Sequence, residues 1–180
     1  MFAPLCGKSL DLLHLRRLGH RVLGVELSGL AVEQFFAEHD LSPRISQRGG
    51  MAVWEAEGIT LLQGDFFALG PDWLSGVGAV YDRAALVALP PDLQAAYAGR
   101  LLEWLPETAP MLLITLEYAQ HDMPGPPFST PASQVDRLYR ADRRIELLEA
   151  VDALADNPRL MARGLSKLTE IAWRLRYEDE

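Results

Sequence analysis

The stretch Phe2-Ala3-Pro4-Leu5-Cys6-Gly7-Lys8-Ser9, answered by Arg21-Val22-Leu23-Gly24-Val25-Glu26, decides the fold. The first segment reads as the end of a strand, a glycine turn and the start of a helix. Leu10, Leu13 and Leu18 continue on a helical spacing until Gly19-His20 breaks it. The second segment is a short buried strand that ends in an acid nineteen residues after Gly7. A glycine turn lets a ligand approach the backbone, and an acid at the end of the next strand can accept both ribose hydroxyls.

The alternation continues along the chain. Ser28 can cap a helix with Leu30, Ala31, Gln34 and Phe35 on its period. Residues 42–50 read as a polar loop. Val53–Glu57 and Ile59–Gln63 read as a hairpin or two strands around Gly58. Gly78–Asp82 and Met111–Glu117 are further strands, separated by a helix that Pro90-Pro91 opens and that runs to about Leu105. A Pro- and Gly-rich segment, Gln120–Pro131, precedes a short helix at Gln134–Tyr139. Ile145–Leu154 and Leu168–Tyr177 read as two last strands, paired antiparallel. Strands alternating with helices predict an α/β fold with a mostly parallel sheet covered on both faces. Ligands bind such sheets beyond the carboxyl ends of the strands. Gly7, Glu26, Asp65, Asp82-Arg83 and Glu117-Tyr118 are therefore the positions of interest.

Composition narrows the function. With 180 residues, a single domain spanning 1–180 is expected. A hydrophobic fraction of 49% is enough for a real core. No apolar run reaches membrane-spanning length, and no signal-peptide pattern opens the chain. A net charge of −8 argues against bulk nucleic-acid binding. A lone cysteine cannot form an internal disulfide and fits a reducing, cytoplasmic setting.

Each candidate has a plainer alternative. Cys6-Gly7-Lys8-Ser9 lacks the second glycine of a phosphate loop, because Phe2 stands there; the three-glycine dinucleotide pattern is missing too. A nucleoside without a pyrophosphate remains, or an ordinary strand–helix turn. Glu26 is a ribose acceptor or a solvated carboxylate. Asp65 with Phe66 could serve an adenine by hydrogen bonding and stacking. Alternatively, Asp65 caps a turn and Phe66 is core. Arg83 could hold an anionic, electron-rich group, or form a surface pair with Asp82. Cys6 has no histidine tied to it, and the four scattered histidines offer no metal-ligand spacing.

Six segments in order carry a resemblance: Pro4–Asp11, Gly24–Ser28, Gly64–Phe67, Tyr81–Leu86, Leu113–Tyr118 and Gly125–Phe128. Together they closely resemble the bacterial thiopurine S-methyltransferase family, over essentially the whole chain. The resemblance implies a Rossmann-like class I methyltransferase with a mostly parallel seven-stranded sheet and S-adenosylmethionine as donor. It implies that Leu5, Gly7, Glu26, Phe66 and Arg83 serve the cofactor, and Asp65 joins them as the acid read beside Phe66. Arg83, Phe128 and Arg159 would serve a small-molecule thiol or selenol substrate. No catalytic base and no metal is assigned, and a monomer acting in detoxification is expected. The family carries a further segment ahead of the first strand, with tryptophans over cofactor and substrate. The chain starts at Met1-Phe2 inside that strand, so N-terminal truncation relative to the family is expected. Two other readings stay open: an O- or N-methyltransferase of this fold, with Asp82 as the nearby base, or a catalytically impaired donor-binding protein.

Overall fold

A computed structural model describes residues 1–177. One nine-stranded sheet runs in the order β3-β4-β5-β2-β1-β6-β7-β9-β8. The strands are β1 (Phe2–Ala3), β2 (Val22–Glu26), β3 (Arg44–Arg48), β4 (Met51–Ala56), β5 (Ile59–Gln63), β6 (Val80–Arg83), β7 (Met111–Glu117), β8 (Arg144–Asp152) and β9 (Thr169–Arg176). The five central strands, β5, β2, β1, β6 and β7, are parallel. Antiparallel pairs close both ends of the sheet.

The expected seven-stranded, mostly parallel sheet is thus corrected to a nine-stranded mixed one. Residues 42–50, read as a loop, contain β3. Every residue of that strand is exposed, so it has no hydrophobic period to read. Its backbone bonds come from β4, across a two-residue turn at Gly49-Gly50 in which both glycines have positive φ (57° and 78°). The antiparallel pairing of the two last strands holds, with a bulge between Leu147 and Glu149.

Side-chain alternation assigns the two faces. Phe2, Val25, Leu62 and Val80 point into one core; Ala3, Val22, Ile59 and Leu61 point into the other. The first face is covered by α3 (Pro71–Leu74), α4 (Pro91–Trp104) and α5 (Ala132–Tyr139). Helix α4 buries Gln94, Tyr97, Ala98, Leu101 and Trp104, one stripe at helical spacing. The second face is covered by α1 (Asp11–Arg17) and α2 (Gly29–Glu38), through Leu12, Leu15, Val32, Phe35 and Phe36. Ser28 caps α2 as read, accepting from Ala31 N–H at 3.2 Å. A last short helix, α6 (Pro158–Ala162), lies between β8 and β9 in the chain, and its Leu160 packs on a small cluster with Tyr118, Met123 and Leu168.

Strand order reverses at β1. From there the chain moves outward through β2 and β5, then returns to β6 and β7 on the other side. Neighbouring crossovers therefore diverge between β1 and β6, and a crevice opens beyond their carboxyl ends. Among the described residues, no helix is long and apolar enough to cross a membrane.

Candidate functional site

A cleft of about 650 Å³ occupies that crevice. Its walls come from the turn after β1 (Leu5, Gly7), the end of β6 (Arg83, Ala84) and β7 (Ile114, Leu116). Pro126, Pro127, Arg159 and Glu170 complete it. This volume suits a small organic ligand. A second cavity, of about 520 Å³ beside Arg21, Glu55 and Trp73, lies at the amino ends of the parallel strands. That end lacks the helix N-termini that favour ligands at the carboxyl edge.

The turn after β1 is held in an uncommon backbone. Leu5 has φ 43° and Gly7 φ 52°, and across the cleft Ala84 has φ 66°. Left-handed geometry at a non-glycine residue persists only where the surroundings impose it, and it clusters at functional sites. Here the surroundings are visible. Cys6 N–H donates to Val25 O at 3.0 Å. A Cβ on Gly24 would stand 2.7 Å from Cys6 Sγ, so only glycine lets the turn pack down on β2. Cys6 itself is buried, and burial, followed by the Glu26 charge, pushes its thiol up to about 12.

Glu26 is tied to both neighbouring turns. Oε2 accepts from Gly7 N–H at 2.9 Å and Oε1 from Ser28 N–H at 2.7 Å. Each oxygen keeps a lone pair for a further donor. Glu26 lies along the carboxyl edge of the sheet, outside the cleft walls.

Alternation separates Asp82 from Arg83. Asp82 is fully buried on the α4 side, accepting from Tyr97 O–H at 2.7 Å and Leu86 N–H at 3.1 Å. Burial raises its carboxyl to about 6, against those two bonds. It is not a base beside Arg83, and the reading that needed one loses its candidate. Arg83 and Tyr81 turn to the α1 side, where both donate to Asp11 Oδ2, at 2.9 and 3.3 Å. Burial alone would raise the Asp11 carboxyl, but hydrogen bonds from Arg83, Ser9 and Tyr81 hold it below the usual range. That same bond raises the Arg83 guanidinium. Asp11 carries no site signal in the sequence; as the first residue of α1 it reads as an ordinary helix-start acid.

Of the expected site residues, Leu5, Gly7, Arg83 and Arg159 meet at the cleft. The Arg159 side chain lines this cleft. Asp65 sits at the sheet edge and caps a short 3₁₀ turn, accepting from Phe67 N–H at 2.9 Å. Phe66 follows the plainer of its two readings and not the adenine-stacking one. Its ring is in the core, 4.8 Å from Tyr97 and 5.7 Å from Trp104 between centroids. Phe128 also stays off the cleft. Its ring lies where a side chain on Gly125 would be, and Pro126 and Pro127 line the wall instead. Glu170 faces the cleft and acts through its charge on Arg83 and Tyr81. A β-strand glutamate carries no sequence signal for this.

A family model described as Thiopurine S-methyltransferase (TPMT) matches residues 1–178. The chain belongs to this family. It is a methyltransferase, and its methyl donor is S-adenosylmethionine. A thiopurine S-methyltransferase of Methylococcus capsulatus is 55% identical over 179 residues, covering 99% of this chain and 81% of the relative. Among solved structures, a SAM-dependent methyltransferase from Anabaena variabilis superposes with TM-score 0.65 at 14% identity, over 98% of this chain and 76% of that one. A Burkholderia thailandensis 1,6-didemethyltoxoflavin-N1-methyltransferase, solved with S-adenosylhomocysteine, gives TM-score 0.58 at 17% identity, over 99% and 70%. At those identities the likeness speaks for the Rossmann-like fold alone.

The residues present fit that donor. Glu26 retains acceptor capacity for a diol, the glycine turn leaves open space above Gly7, and the cleft pairs carboxylates with guanidinium groups. A zwitterionic, cationic ligand needs such mixed charge.

Proposed function

We propose that this chain methylates the sulfur of small aromatic or heteroaromatic thiols of the thiopurine kind, and related selenium and tellurium nucleophiles, in detoxification. The observation that carries the reading is the Arg83 guanidinium, half exposed on the cleft and anchored on one side only. When bound, the donor supplies an already activated methyl group. The protein's work is therefore alignment and desolvation. Leu5 and Gly7 shape the floor. Glu26 serves the ribose, and Asp65 the adenine end. Arg83 and Arg159 face the substrate, and their positive charge favours its thiolate over the thiol. An aromatic thiolate forms readily near neutral pH, so no general base is assigned. Val87, Ile114 and Leu116 supply apolar wall for a ring. All these residues come from one domain, 1–180, which supports a monomer as the working unit. A buried, unreactive cysteine is compatible with the cytosol.

Two measurements test the reading. Calorimetric titration with S-adenosylmethionine is expected to show binding weakened roughly tenfold in Glu26→Gln, the usual effect of losing one charge-assisted bond. Methyl transfer to 6-mercaptopurine is expected to fall at least tenfold in Arg83→Ala with donor affinity kept. Unchanged donor affinity removes Glu26 from the site, and unchanged transfer removes Arg83.

A further inference from the structure

The Arg83 guanidinium sits at the end of a flexible side chain on an open cleft, yet its orientation is fixed. Asp11 is the reason. Three donors converge on Asp11 Oδ2: Ser9 O–H at 3.0 Å, Arg83 N–H at 2.9 Å and Tyr81 O–H at 3.3 Å. Ser9 closes the arrangement by accepting from Asp11 N–H at 3.2 Å. The carboxylate is itself fixed at the first turn of α1, on the wall of the cleft. Tyr81 and Arg83 are two residues apart on β6, so both reach the same face and the same oxygen.

We propose that Asp11 is a positioning residue for substrate methylation, clamping one edge of Arg83 through the Ser9–Asp11–Tyr81 cluster so that its remaining N–H groups address the substrate. This rests on the reading that Arg83 meets the substrate. Those other N–H groups have no partner among the described residues. A free arginine would spread over many rotamers and hold the sulfur in the right place only part of the time. An oriented guanidinium donates in a fixed plane. The clamp contributes to turnover through Arg83 and not to donor binding, because Asp11 does not touch Glu26 or Gly7.

The experiment is a double-mutant cycle read with 6-mercaptopurine and S-adenosylmethionine on Asp11→Ala, Arg83→Ala and the pair, with Asp11→Asn alongside. Asp11→Ala is expected to lower kcat about tenfold while donor affinity stays within twofold. In the Arg83→Ala background it is expected to change kcat by less than twofold, since the group it positions is gone. Asp11→Asn keeps an accepting oxygen and is expected to restore most of the loss. Full additivity, an unchanged kcat in Asp11→Ala, or no difference between Asn and Ala overturns the proposal. If Arg83→Ala alone is harmless, the underlying reading fails instead. If Asp11→Ala does not fold, the cycle is run with Asp11→Ser, whose side chain is too short to reach Arg83, and additivity there overturns the proposal equally.

Discussion

Tyr97 donates to Asp82 Oδ2 at 2.7 Å in a part of the core where neither residue touches solvent. A carboxyl raised by burial from 3.8 to about 6 binds its proton more tightly in the folded state than in the unfolded one. The sign follows directly. The folded form holds more protons between those two values, so stability falls as pH rises through that window and levels off above it. The size is about 3 kcal/mol. Asp82→Asn keeps an acceptor for Leu86 N–H and no longer buries a charge. Relative to the parent protein, it is expected to lose the decline between about pH 4 and 6 and to be at least as stable at pH 7.5. Urea unfolding across that range checks this, and parallel profiles for the two proteins count against it. Asp82→Ala orphans two donors and is expected to lose about 2–5 kcal/mol.

Ala84 adopts φ 66° immediately after Arg83. An L-residue there costs about 1–2 kcal/mol, and glycine does not bear that cost. Glycine's extra unfolded-state freedom takes back about 0.5–1 kcal/mol. Ala84→Gly is therefore expected to be neutral or slightly stabilising. Ala84→Val, with a branched β-carbon, is expected to destabilise by at least about 2 kcal/mol and to disturb the cleft. Denaturant midpoints decide it: a valine tolerated as well as alanine means the turn is not held as described.

Cys6 is the chain's single thiol, pushed up to about 12 by burial. In the folded protein it is expected to stay unreactive toward a disulfide reagent at pH 8, and to react at once in denaturant. Gly24→Ala drives a methyl group to 2.7 Å from both Cys6 Sγ and Leu61 Cδ2. Overpacking of this kind is expected to cost about 1–3 kcal/mol and to speed labelling of the native state. Equal labelling rates in parent and variant contradict this packing.

Glu26 has a second duty that bears on how its variants are read. It closes the turns of Gly7 and Ser28, so Glu26→Ala removes two accepted bonds as well as the proposed ribose acceptor. A stability loss of about 1–3 kcal/mol is expected alongside weaker donor binding. Glu26→Gln keeps one of the two accepting oxygens and is the milder variant; urea unfolding beside the calorimetric titration separates the two effects.

Periodicity and punctuation were enough to reveal the alternating strands and helices, the Ser28 cap and the Pro-led α4, because each is a local property of a few neighbouring residues. The spacing from Gly7 to Glu26 likewise marked two positions that the fold brings together, Gly7 N–H donating to Glu26 at 2.9 Å, since strand–helix–strand units return to the same edge of the sheet. Sequence could not reveal β3, whose residues are all exposed and whose bonds come from a partner strand. Nor could it place Asp65, Phe66 or Phe128, for which binding and packing leave the same composition. Tertiary structure alone turned Asp82 into the core and Arg83 to the cleft. It alone set Asp11, 72 residues from Arg83 along the chain, within 2.9 Å of it. The reason is geometric: which face a side chain meets depends on register within the sheet, and contacts between distant segments exist only once the strands have assembled.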